Sequence, residues 1–584
     1  MFRNVHYDKR SNQIHLWETI KGERLYSCID WVPYLYIPTD KKTDIRTIDN
    51  KNVVKKKFKN WFEYNEYQKN NSNIYENKVI PEIQYLTERY HQISDDDLEI
   101  PHLKIFSLDI ETYSYQMPNP RTVEDPIVLI SITDLTNDIV HVFGSKPYDV
   151  KDSELENVTI NYHYCEDEQE LLSKFLDFMH ENIPDIITGW NIIPSKKMNV
   201  SGFDMGYIIN RCKEIFGKYD EQYKKLSPIN EVKIWEDKDG YVNVDIVGVT
   251  LIDYLTAYKW YSKNKPESYQ LEFVSQLELG VGKLEYEGTL HQLYEENWTK
   301  MVDYNIIDTI RVAELEKKLG YIKLIQSLSL ITKCPMKNFT TMTSLIEGLM
   351  LTHYRRNKLC APKMLDFTGD GGYSGGHQKE PHKGLWKWLF SIDISSSYPT
   401  AIITLNKSLE TYIGKIINFS EEKVIEYTSK REFPQFDMHN FYTDQVTRFE
   451  GDKLDKFNKM LKRGLVCISP IGVCYKTQPE GVIAHVERTM YEKRQRIKKE
   501  MKTIEDGTRK EQLNHMQEAI KTLINSFYGI LAYPWNNRYM NVHIAESVTS
   551  CGRHAIKEGE KFVNDLLNNP NDKMKEILSE IRSL

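Results

Sequence analysis

Four acidic residues in this chain follow one another in an order that could hold a pair of divalent cations. Asp109 and Glu111 stand two apart in Lys104-Ile105-Phe106-Ser107-Leu108-Asp109-Ile110-Glu111, a stretch that predicts a strand. That spacing puts both carboxylates on one face. Asp204 follows in Gly202-Phe203-Asp204, downstream of Asp185-Ile186-Ile187-Thr188-Gly189-Trp190-Asn191. Tyr304 and Asp308 then fall four apart in Tyr304-Asn305-Ile306-Ile307-Asp308, neighbours on one face of a predicted helix. A single Asp is most often a solvated charge or a helix cap. Three carboxylates with a fourth on a helix can bind two hard cations, one activating water and the other stabilising a leaving 3′ oxygen. Tyr304 could orient that water.

A second set points to nucleotidyl transfer. Ser391-Ile392-Asp393-Ile394-Ser395-Ser396-Ser397-Tyr398-Pro399 sets one carboxylate at the end of a predicted strand, Trp388–Asp393. Asp393 and the carbonyl of Ile394 could ligate metal, and N–H and hydroxyl groups at Ser396, Ser397 and Tyr398 could cradle a triphosphate. Lys521, Asn525 and Tyr528 recur at helical spacing, with Gly529 beside them to let a base pair approach closely. On the preceding predicted helix, Arg494 and Lys498 are four apart and make a cationic face suited to a γ-phosphate. One Asp cannot hold two divalent cations, and no second carboxylate motif follows for this site.

The elements that must position these groups belong to a multidomain α/β chain. Its 584 residues exceed what one core can organise, and 40% hydrophobic with 28% charged residues fit a globular protein. The first hundred residues alternate short β-like runs, such as Asp30–Pro38, with a polar stretch from Lys41 to Asn77. Mixed strands and amphipathic helices follow to about Leu319, and helical patterning runs on to about Asn357. The glycines of Gly371-Gly372-Tyr373-Ser374-Gly375-Gly376 then mark a junction. Val232–Val244 alternates around an Asp-Gly turn and predicts a hairpin. Val482–Tyr528 predicts two long helices joined by a turn near Glu505-Asp506-Gly507.

No signal-peptide pattern and no apolar run long enough to span a membrane are present, so a cytoplasmic protein without a membrane role is expected. Eight scattered cysteines without Cys-x-x-Cys spacing predict free thiols. The net charge of −7 does not exclude nucleic acid, because phosphate binding depends on local patches.

Together these motifs resemble family B DNA polymerases, most closely the replicative type of T-even-like phages. Ser268-Tyr269-Gln270-Leu271-Glu272-Phe273 and Val281-Gly282-Lys283-Leu284 add to the likeness. The resemblance implies an RNase H-like 3′-5′ exonuclease domain, with an incomplete right-hand polymerase of α+β palm and helical fingers. Asp109, Glu111, Asp204, Tyr304 and Asp308 would be the exonuclease residues. Asp393 would be the palm metal ligand, and Tyr398 would exclude a ribose 2′-OH. Tyr373, Gly375, Gly376, Tyr528 and Gly529 would touch DNA. The hairpin would help part the primer end from template.

Two Mg²⁺ per site, with Mn²⁺ as an alternative, primer-template DNA, dNTPs, a sliding clamp and other replisome proteins are the implied cofactors and partners. The implied layout is an N-terminal domain (1–103), an exonuclease domain (104–320) and a helical segment returning to the N-terminal domain (321–363). Palm (364–481), fingers (482–532) and further palm (533–584) follow. Two departures stand out. The polar loop Ile192–Gly202 is longer than the family usually has, and no Asp-Thr-Asp hairpin motif is present. The expectation is a split polymerase whose second polypeptide supplies that motif and the thumb. The alternatives are a stand-alone 3′-5′ exonuclease carrying a DNA-binding but synthesis-incompetent remnant, a truncated reading frame and, less favoured because all the exonuclease carboxylates are present, an inactive scaffold that only binds DNA or replisome proteins.

Overall fold

The computed structural model describes residues 1–94, 97–217, 219–281, 290–364, 375–376, 383–385, 393–394, 396–568 and 575. Tyr373, the predicted strand up to residue 392 and most of Val281–Leu284 lie outside the described residues. The chain forms two compact units. One comprises Met1–Pro33, Lys57–Glu66 and Ile80–Gly348, the other Tyr34–Lys56, Tyr67–Val79 and Leu349–Leu584.

In the first unit, β1 (Phe2–Asp8), β2 (Gln13–Ile20) and β3 (Glu23–Asp30) make an antiparallel meander. The run expected to continue to Pro38 breaks there instead. Trp31 still donates its N–H to the Asn12 carbonyl, one step past the Gln13–Asp30 pair, and the ladder stops before Pro33, which has no N–H to offer. The strand resumes in the second unit as β4 (Leu35–Pro38), paired with β5 (Val53–Lys56).

A six-stranded mixed sheet carries the acidic motifs. Its strands are β6 (Ile105–Thr112), β7 (Ile127–Asp134), β8 (Ile139–Gly144), β9 (Thr159–Tyr164), β10 (Ile186–Gly189) and, after the hairpin β11 (Val232–Glu236) and β12 (Val242–Ile246), β13 (Thr250–Asp253). Their order is β13-β10-β6-β7-β8-β9. β7, rich in Ile and Val, is buried along its whole length, as a central strand should be. Leu108 and Ile110 of β6 point into a core with Phe175, Ile187, Met205 and Ile208. The Trp298–Leu319 helix packs over β6 and β7, capped at its start by Asn297 and ended by left-handed Gly320. The expected hairpin forms in register, Val232 opposite Ile246 and Glu236 opposite Val242.

In the second unit, β14 (Tyr412–Ile416), β15 (Phe436–Asn440), β16 (Gln445–Phe449), β17 (Val466–Ile468) and β18 (Val473–Lys476) form an antiparallel sheet of order β16-β15-β14-β18-β17. Phe433, Phe436, Phe457 and Leu461 fill its core beneath the helices Glu421–Lys430 and Gly451–Lys462. Two long helices, Val482–Glu500 and Gly507–Ala532, pack on each other, and Asp506 caps the second through Thr508 and Arg509. The helix Val542–Asn568 packs against the short helix Ser397–Thr404. All eight cysteines are free. Among the described residues no helix is long and apolar enough to cross a membrane.

Candidate active site

The four exonuclease-type acids meet at the end of β6. Asp109 and Glu111 are half-buried on the face opposite Leu108 and Ile110, as the alternation of β6 requires. β10 pairs with β6 only as far as Thr188 opposite Ser107. Past that point the N–H of Ile110 donates to Asp204 Oδ1 at 3.1 Å, so a side chain takes the place of the ladder. Gly189 makes this possible. A Cβ there would strike the Leu108 carbonyl, and only glycine lets the two strands converge.

Asp204 opens the Asp204–Ile215 helix, where a carboxylate is favoured by the helix dipole. The long loop before it does not displace it. Asn191, itself left-handed at φ 70, accepts the Phe203 N–H on its carbonyl at 2.7 Å and the Gly202 N–H on Oδ1 at 2.9 Å. Ser195 and Val200 then close a second rung by mutual backbone hydrogen bonds. The excursion Ile192–Gly202 is thus tied at its root. Its Lys196 pairs with Asp239 at the hairpin turn, and Arg121 holds the other side of that turn through the Gly240 carbonyl at 2.9 Å.

On the Trp298–Leu319 helix, Tyr304 and Asp308 are half-buried on one face. Asn305, wholly buried, donates through Nδ2 to Asp109 Oδ2 at 2.6 Å, and its Oδ1 has no partner among the described residues. Burial pushes the Asp109 carboxyl well above the usual range, reinforced by the charges of Asp204, Asp308 and Glu111, while Asn305 opposes. Glu111 is raised in the same way by burial and then by Asp308 and Asp204. Asp204 is pushed up to about 7, chiefly by burial, with Asp253 and Asp308 adding to the effect and its bonds to backbone N–H groups opposing it.

Asp253, buried behind Asp204, holds the site from the rear. It accepts from Ile192 N at 2.8 Å and caps the Tyr254–Tyr261 helix through Thr256 N at 2.7 Å. Sequence reasoning assigned no role to Asp253 or Asn305. An Asp before an apolar helical run is a legible cap signal, and Asn305 sits inside a quoted motif. Their contacts to the site are long-range.

The charged groups that raise the Asp109 and Glu111 carboxyls are carboxylates. An all-oxygen, strongly acidic donor set of this kind suits hard divalent cations. Among the described residues no three such side chains are already gathered around one point that could hold an ion.

In the second unit, Asp393 and Ile394 are exposed. Ser396 is left-handed at φ 55 and leads into the Ser397–Thr404 helix, whose first turn contains Pro399. The rings of Tyr398 and Tyr528 meet at 4.7 Å, joining the two motifs. Gly376 lies against the Tyr398 hydroxyl, Gly552 against its ring, and Arg553 donates to the Gly375 carbonyl at 2.6 Å. Gly552 and Arg553 were not anticipated. Arg494 is half-buried with its Nε unpartnered among the described residues, and Lys498 and Asn525 are exposed. Lys521 lies 3.4 Å from Glu518, and Gly529 faces open space.

Comparison with known proteins places both halves. Residues 47–274 match DNA polymerase family B, exonuclease domain, and residues 337–581 match DNA polymerase family B. The chain is 27% identical over 533 residues to the DNA-directed DNA polymerase of Escherichia phage RB69, covering 83% of this chain and 57% of that protein. To the DNA-directed DNA polymerase of Enterobacteria phage T4 it is 24% identical over 587 residues, covering 92% and 64%. A DNA polymerase of Pyrococcus glycovorans is 26% identical over 469 residues, covering 78% and 50%. The chain thus spans less than two thirds of the length of these relatives. Tyr304 and Asp308 fall between the two matched regions, and it is the fold that brings their helix to β6. By both matched regions and by its relatives, the chain belongs to family B of the DNA polymerases.

Proposed function

We propose that the first unit removes nucleotides from the 3′ end of DNA and that the second binds primer-template DNA and a dNTP for templated synthesis. The observation that supports the first activity is the convergence of Asp109, Glu111, Asp204 and Asp308, where burial first and neighbouring carboxylates second raise the proton affinity of Asp109, Glu111 and Asp204. Two divalent cations, Mg²⁺ or Mn²⁺, would be held by these four acids and would supply water activation and charge neutralisation at the leaving 3′ oxygen. Asn305 fixes the rotamer of Asp109, and Ile110 N–H fixes that of Asp204. Tyr304, one turn before Asp308 on the same helix, would orient the attacking water.

For synthesis, the open N-terminus of the Ser397–Thr404 helix offers N–H groups to a triphosphate, with Arg494, Lys498, Lys521 and Asn525 as its further contacts. Tyr398, packed on Tyr528, would exclude a 2′-OH, and Gly375, Gly376 and Gly529 would lie along DNA. Asp393 would hold metal together with further carboxylates from an Asp-Thr-Asp segment, which these 584 residues do not contain. A sliding clamp and other replisome proteins are its proposed partners. Its domains would be 1–103 (N-terminal), 104–320 (exonuclease), 321–363 (a helical return to the N-terminal domain), 364–481 and 533–584 (palm) and 482–532 (fingers).

A 5′-labelled single-stranded oligonucleotide with Mg²⁺ should give a ladder of 3′-shortened products. Asp109→Ala or EDTA should reduce the rate by at least about 100-fold. A protein inactive with both Mg²⁺ and Mn²⁺ would refute the nuclease reading. Primer extension should be negligible with these residues alone and gained when a polypeptide carrying Asp-Thr-Asp and the thumb is added. A reconstituted mixture that does not extend, beside an active nuclease, would leave the stand-alone exonuclease.

A further inference from the structure

Apart from the carboxylate site, the first unit contains a cavity of about 350 Å³, lined by Arg3, Asn4 and His6 of β1, Trp235 of the hairpin, residues 244–251, and Lys337 and Asn338. That volume lies within the range of small-molecule sites. Its chemistry is mixed. Arg3 is 7% exposed and pairs with Asp185, yet its Nε has no partner among the described residues. Asp185 also pairs with Arg24, so two guanidiniums share one carboxylate behind the wall, and the lining itself sets Arg3 and Lys337 against Asp245. Beside the lining, Lys233 stands 3.4 Å from His6 and pairs with Glu231 at 2.9 Å, and Lys337 stands 3.4 Å from Asp245.

Trp235 is 50% exposed and offers an indole face to the lining. His6 and His15 stand ring to ring at 6.3 Å, and His15 stacks with Tyr26 at 6.1 Å, extending an aromatic surface across β1–β3. Cationic donors, a neutral imidazole, amides and a half-exposed indole together suit one planar base with its attached phosphate.

We infer that this cavity binds a single unpaired nucleotide, separately from the hydrolytic site. The ligand could be a free mononucleotide or one residue of a single strand, and the test distinguishes them. The full chain in EDTA, which silences hydrolysis, is irradiated with 5-iodo-dUMP or with an oligo(dT) carrying one 5-iodouracil, and the adducts are mapped by mass spectrometry. Adducts on His6, Trp235 or residues 244–251 are expected.

A Trp235→Ala, Lys337→Gln double variant should bind the probe about tenfold more weakly at unchanged thermal stability, as loss of a stacking ring and a phosphate cation implies. Adducts with the oligonucleotide alone would assign the site to a strand, and adducts with both probes to nucleotides in general. Adducts confined to other segments, with unchanged binding in the double variant, would overturn the inference. The nuclease assay, run in parallel with Mg²⁺, reports on the carboxylate site independently.

Discussion

Asp204 is buried beside Asp253 and Asp308, and burial holds its carboxyl at about 7, with Asp253 at about 6 for the same principal reason. A carboxyl whose folded pKa exceeds its unfolded value binds its proton more tightly in the folded chain. Its stabilising contribution is complete below the unfolded value of about 4 and is lost as pH rises toward 7. Metal-free protein should therefore lose stability across that window. The Asp204→Asn variant should lose less, the difference reaching a few kcal/mol at most near pH 7. Urea denaturation in EDTA at several pH values measures it, and equal slopes for the two proteins would contradict the assignment. Mg²⁺ should raise the Tm of the wild type above pH 7, because counter-charge offsets the repulsion among the acids. At the same scale Asn305→Ala should cut the nuclease rate while leaving the four acids in place, since it frees the rotamer of Asp109.

At the scale of elements, two glycines make opposite predictions. Gly202 sits at φ +70, and a Cβ there would collide with the Pro194 backbone. Gly202→Ala should destabilise the first unit by roughly 1–3 kcal/mol and slow hydrolysis by shifting Asp204. Gly529 lies within a helix and faces open space, so Gly529→Ala should leave the Tm unchanged or slightly raised. If DNA passes over this helix, the same change should weaken primer-template binding, which a fluorescence anisotropy titration would detect. Unchanged binding would remove Gly529 from the DNA path.

Such elements were legible where the signal is local. The alternation of Leu108 and Ile110 with Asp109 and Glu111, the Asp237–Gly240 turn and the Asp506 cap each follow from period or turn chemistry. The break between Asp30 and Leu35 was not legible from the alternation of residue types, although Pro33, without an N–H, marks it. Nor were the clamps by Asn191 and Asp253, which join residues far apart in sequence.

On the scale of the whole molecule, the four exonuclease-type acids lie in one compact unit, and Asp393, Tyr398, Arg494 and Lys521 in the other. Asp393→Ala should thus leave the rate of 3′ shortening within about twofold of wild type, and Asp109→Ala should leave dNTP-dependent primer-template binding unchanged. Crossed effects in these two assays would mean that the activities share residues. The loop Ile192–Gly202 has a different kind of consequence. Because Asn191 ties its two ends and Ser195 and Val200 close a second rung, residues added beyond that rung would not change the distance between β10 and Asp204. Doubling the length of such a loop costs only about 0.6 kcal/mol of chain entropy. The segment is therefore a place where length can drift between lineages while the carboxylate stays put, and where a peptide tag inserted near Asn199 should be carried without loss of hydrolysis.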